Sequence, residues 1–112
     1  MLPTCRILNW TMTAAEALSS DHFIKHDGSS PTAIGEKVAG VTTTDLEANE
    51  AGSVCLIGTT TVVAGGVVNP GDDLVTDANG AAIVNPALGG EYVIATAISS
   101  ATANELVQIL LR

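Results

Sequence analysis

Aromatic residues are nearly missing: Trp10, Phe23 and Tyr92 are all that 112 residues contain. The core must therefore be assembled from Val, Ile, Leu and Ala, each burying less area than a ring. Such a core gives a lone protomer limited stability, so partner surfaces are expected to complete it, and an oligomer follows. Basic residues are equally scarce. Arg6, Lys25, Lys37 and Arg112 are scattered against twelve acids, for a formal net charge of −8. Neutralising phosphates needs clustered Lys and Arg, which disfavours direct nucleic-acid binding and attachment to an anionic membrane. Two cysteines, Cys5 and Cys55, do not make a disulfide framework and read as free thiols in a reducing compartment. No basic start leads into an apolar signal region, and no apolar run approaches the roughly 20 residues a bilayer span requires. The expectation is a soluble product made in the cytoplasm.

What the chain does hold is apolar segments and turn residues. Hydrophobic residues make up 46% and charged residues 14%, which separates it from a disordered tail. Its length suits one domain that buries about two-thirds of its unfolded surface. Pro70-Gly71 fits a type II turn, with φ preset by the Pro ring and positive φ accepted by Gly. Asn79-Gly80 fits a type I′ hairpin turn. Leu74-Val75-Thr76 between them is long enough for a strand, and Ala81 to Val84 returns.

Short strands at about ten-residue spacing continue in both directions. Phe23-Ile24-Lys25 and the β-branched stretch from Lys37 to Thr43 precede the hairpin. Val54-Cys55-Leu56-Ile57 and Thr60-Thr61-Val62-Val63 bracket Gly58, where a turn is expected. The stretch from Tyr92 to Ile98 reads as a buried strand, and Leu106 to Leu111 closes the chain. This pattern predicts a mainly β fold, a small β-barrel or β-sandwich of short strands. Gly40-Val41, Ala48-Asn49-Glu50 and Val54-Cys55-Leu56-Ile57 are echoed by Ala97-Ile98, Ala103-Asn104-Glu105 and Val107-Gln108-Ile109-Leu110, suggesting two equivalent hairpins. The first twenty residues differ in character and read as an extended N-terminal arm. Thr13-Ala14-Ala15-Glu16 fits a capping box that would start one short helical turn, reaching about Leu18.

Catalytic and metal-binding patterns do not assemble. His22 and His26 would face one way on a helix, but the apolar Phe23-Ile24 between them looks like strand, which separates them by roughly 13 Å. Aligning Gly80 with the required glycine of a calcium loop puts Val75 and Pro86 at ligand positions that need carboxylates. Asp72 and Asp73 are adjacent and point to opposite faces of a strand. No phosphate-binding glycine loop precedes a helix, and no nucleophile elbow is present. No cofactor, metal or catalytic residue is assigned.

The order Phe23-Ile24-Lys25, Gly40-Val41, Ala51-Gly52-Ser53-Val54-Cys55-Leu56-Ile57-Gly58, Asn69-Pro70-Gly71-Asp72-Asp73-Leu74-Val75-Thr76-Asp77 with Gly80, Ile94-Ala95-Thr96-Ala97 and Glu105 to Leu111 resembles the small capsid decoration, or cement, proteins of tailed bacteriophages. The resemblance covers about four-fifths of the chain and rests on turns and apolar strands. It implies a non-enzymatic β-barrel-like domain over residues 21–112, commonly trimeric, on the outer surface of an expanded icosahedral head. There it would bind the major capsid protein and stabilise the shell against internal DNA pressure. Residues 1–20, the arm, have no matched counterpart. Their apolar members are costly to leave in water, so Leu2, Pro3, Arg6, Ile7, Leu8 and Trp10 are the expected capsid contacts. The competing readings are a receptor- or carbohydrate-binding β module on a virion or cell surface, and an enzyme with an Asp/Thr site. The first would stack sugars on aromatics, for which Trp10 and Tyr92 are the candidates.

Overall fold

The computed structural model describes residues 4–111, and all of their regular structure is strand. The elements are β1 (Cys5–Thr13), β2 (Phe23–Ile24), β3 (Gly40–Thr42), β4 (Ala51–Val63), β5 (Asp73–Thr76), β6 (Ala82–Val84), β7 (Ala95–Ala97) and β8 (Leu106–Leu111). They form one sheet in the order β2-β3-β4-β8-β7-β5-β6, with β1 joined to β4. Every ladder is antiparallel, as connections between short strands permit. The sheet curls on itself: a parallel bridge from Ala64 to Ala82 ties β6 back to the end of β4, making a small, nearly closed barrel.

The core is aliphatic. Phe23 is its one ring, packed with Val41, Val62, Leu74, Val107, Ile109 and Leu111, all at most 1% exposed. The alternation along β8 places Val107, Ile109 and Leu111 inward and Leu106 and Leu110 outward, so one face is buried and the other meets solvent. Two of the buried threonines donate to backbone carbonyls, while the buried Thr96 hydroxyl has no partner among the described residues. The Thr42 hydroxyl donates to Ser19 O at 2.7 Å, and the Thr76 hydroxyl to Asp77 O at 2.9 Å.

The local turns divide. At residues 69–72 the expected type II turn forms, with Gly71 at φ +90° and Asp72 N donating to Asn69 O at 3.2 Å. The Asn79-Gly80 bend is not type I′, because Gly80 has positive φ and Asn79 does not. Gly80 N donates to Asp77 O and Asp77 N to Ala81 O, which makes a three-residue loop with glycine in the left-handed position. The Asp77 carboxylate accepts from Asn79 N and Ala81 N and holds that loop in place of a second tight residue.

Gly58 does not turn the chain. It lies inside β4 at φ +117°, where the β1–β4 register shifts, so it is the site of a bulge in one continuous thirteen-residue strand. The capping box at Thr13 makes no helical turn. Ala14 N goes to Glu50 O and Ala15 N to Gly28 O, so partners distant in sequence take the amides a first turn would leave open. The strand expected from Tyr92 shortens to Ala95–Ala97, with Tyr92 and Val93 each 37% exposed.

The echo around Asn49 and Asn104 extends over nearly the whole chain. In the β1–β4 ladder Thr13, Met12, Thr11 and Trp10 face Ala51, Gly52, Ser53 and Val54; in the β4–β8 ladder Val63, Val62, Thr61 and Thr60 face Leu106, Val107, Gln108 and Ile109. Phe23 faces Val41 and Ile24 faces Gly40, as Asp73 faces Thr96 and Leu74 faces Ala95. Ala14 N to Glu50 O at 2.9 Å recurs as Ala64 N to Glu105 O at 2.8 Å, and the bridge between Leu18 and Leu46 recurs between Val68 and Ala101. Asn49 and Asn104 share the left-handed backbone, at φ 69° and 70°.

The protein is therefore two copies of one β unit. Equivalents lie fifty positions apart up to Ile24 and Leu74, and fifty-five apart from Ala39 and Ile94 onward. β4 serves both: its first half closes the first unit and its second half opens the second. The loop triplets at 48–50 and 103–105 match in the register read from sequence. The flanking strands match two residues away from that reading, Gly40 with Ala95 and Val54 with Ile109. A slip of two keeps every side chain on its face, so the hydrophobic pattern does not reveal it.

Candidate functional site

Neither histidine, nor any acid near them, builds a reaction centre. His22 Nδ1 lies 2.7 Å from Ser20 O, and His26 is exposed. Among the described residues no group of three or more His, Cys, Asp or Glu is placed to hold a metal ion. Asp72 accepts from Asn69 N and closes its own turn, while Asp73 opens β5. A shallow hollow on the first unit is lined by Glu16, His22, Ser30 and Thr42, with Asn79 of the second unit at its rim. Its volume of about 140 Å³ is small beside the roughly 300–1,000 Å³ of ligand pockets.

The shifted carboxylates are turn staples. Asp27 is held below its ordinary value by the hydroxyl and amide of Ser29, Glu36 by the Thr32 amide and Lys25, and Glu105 by the amide and hydroxyl of Thr102. Burial pushes the Cys55 thiol up, against the pull of the Arg6 charge. Cys5 is exposed, and both cysteines are free. The Tyr92 ring, a candidate sugar platform, has Lys37 Nζ 5.8 Å from its centroid.

The outstanding surface is β1. It pairs with β4 along one edge, and its burial is exposed at every residue except the half-buried Met12. Ile7 is 73% exposed and Trp10 61%, with Leu8 beside them. Arg6 reaches back, its Nε donating to the Thr60 hydroxyl at 3.2 Å, and fixes the strand's start against β4. Thus Arg6, Ile7, Leu8 and Trp10 lie together on one strand; Leu2 and Pro3 fall outside the described residues. Ile57 faces Leu8 across the ladder and is also exposed, extending the apolar patch. The sequence masked it, because Ile57 ends an apolar run that reads as core.

The phage cement protein family matches residues 3–112. The chain belongs to that family. A comparison with curated proteins finds no match. Among solved structures the chain is similar to the head fiber gp8.5 N base of bacteriophage phi29, with a TM-score of 0.74 and 19% identity over 94% of this chain and 93% of that one. The likeness shows the fold: a phage head protein's base has the same arrangement of strands. Membership of the cement family gives this protein a structural role in association with the phage capsid.

Proposed function

We propose that this cement-family protein binds the outer surface of the expanded icosahedral head as a homotrimer and stiffens the shell against internal DNA pressure. Residues 2–10 meet the major capsid protein. The observation that carries this reading is the exposed apolar row on β1, which a solitary soluble domain has no reason to maintain. Contact with a capsid subunit removes Ile7, Leu8 and Trp10 from water, and three arms on one trimer multiply a weak contact through effective concentration.

The test is co-sedimentation with emptied expanded heads. Ile7→Glu with Leu8→Glu alters two exposed side chains, so the fold and the self-assembled mass are expected to persist while head binding is lost. Wild-type occupancy by that variant would refute the arm's role.

A further inference from the structure

Inside the chain the first unit covers the opening strand of the second. Val63 N donates to Asp21 O and the Thr61 hydroxyl to Asp21 Oδ1, both at 2.8 Å. Gly35, buried at φ +75°, donates its amide to Thr76 O at 2.9 Å. Beneath these contacts Thr60 and Thr76 are fully buried and Thr61 is 7% exposed. The first unit's equivalents of positions 60, 61 and 63 are Trp10, Thr11 and Thr13, and all three are exposed. No described residue covers them.

The opposite end of the molecule has the complementary deficit. Gly90 stands where Gly35 stands, with matching backbone at φ +85°. A Cβ at Gly35 would press on Glu91 at 2.7 Å, whereas one at Gly90 meets nothing within 4 Å. Gly71 occupies the place of Asp21 and is exposed. Leu110 occupies the place of Cys55 and is 37% exposed, against 0% for the cysteine. The parts that do the covering inside the chain are thus bare on the second unit, and the parts that are covered are bare on the first.

We propose that a second copy of this chain docks head to tail on these surfaces. The turn at 69–72 and the loop at 87–90 of one copy cover residues 11–13 of the next, repeating between copies the contact made between units. The interface is heterologous, and a heterologous interface makes rings when its rotation closes. This deepens the self-association part of the proposed function and makes no use of head binding, so the two readings can fail separately.

The test is complementation. Thr11→Glu with Thr13→Glu spoils the covered surface; Leu88→Glu with Leu110→Glu spoils the covering one, and all four positions are exposed. Circular dichroism and thermal melts check the fold of each variant. Sedimentation velocity of wild type is expected to show an oligomer, and each double variant alone a monomer of 11.3 kDa. An equimolar mixture has one good pair of surfaces and is expected to give a 1:1 dimer that grows no further. A monomeric wild type, self-association of either variant alone, or a mixture that stays monomeric would overturn the proposal. If a double variant unfolds, Thr11→Glu and Leu110→Glu singly carry the same expectations.

Discussion

Replacing Gly58 with Ala separates two costs that the structure assigns to one position. The residue sits at φ +117°, and its added Cβ would lie 2.4 Å from Cys5 O and 2.6 Å from Ile7 N. Holding a non-glycine residue in left-handed backbone costs about 1–2 kcal/mol. Forcing a methyl group into a closed contact adds about 1–3 kcal/mol more. Gly71 is the control: φ is +90°, yet its Cβ would meet nothing within 4 Å, so Gly71→Ala should show the backbone cost alone. Urea unfolding measures both, and with a slope of about 1–3 kcal/mol per molar the Gly58 variant should unfold at a midpoint roughly 1 M below the Gly71 variant. Every atom that clashes with the new Cβ belongs to β1. Removing residues 1–13 should therefore abolish the difference between the two substitutions, a coupling that a double-mutant cycle reads directly. Equal costs in the full chain, or an excess that survives removal of the arm, would refute the reasoning.

Two further outcomes follow from the turn carboxylates and the thiols. Asp27, Glu36 and Glu105 titrate below their ordinary values, so each contributes stability above its unfolded pKa that is lost as pH falls through the folded value. Acid melting should therefore begin as pH drops past the ordinary glutamate value of 4.5, and Glu105→Gln should melt lower than wild type near neutrality while converging with it in acid. Thiol labelling of the native protein should modify Cys5 promptly and Cys55 only on unfolding, because Cys55 is buried and its thiol is pushed up. Equal labelling rates would contradict the packing of β4 against the core.

Strands with an inward and outward face were legible before the structure was. Leu106–Leu111 and the segment at Leu74 announce themselves as apolar runs flanked by turn residues. Gly58 was not, because a glycine between two apolar runs looks the same whether the chain reverses or bulges; β1 on one side and β8 on the other hold β4 straight through it. The Thr13 capping box failed for a related reason, since long-range carbonyls captured its amides. At the candidate site, the cost of leaving Ile7, Leu8 and Trp10 in water could be argued from residue type alone. Ile57 and the exposed loop at 87–90 needed the fold, and the complementary deficits of the two units needed the residue-by-residue equivalence that only hydrogen bonds reveal.

The sharing of β4 has a mechanical consequence. Tandem modules joined by a linker can swing, but here the closing strand of one unit is the opening strand of the other, and no hinge lies between them. The distance from the arm at one end to the bare closing strand at the other is set by a continuous peptide ladder, which makes the molecule a gauge of fixed span. On a lattice it can fit one spacing well and has little compliance to accommodate another.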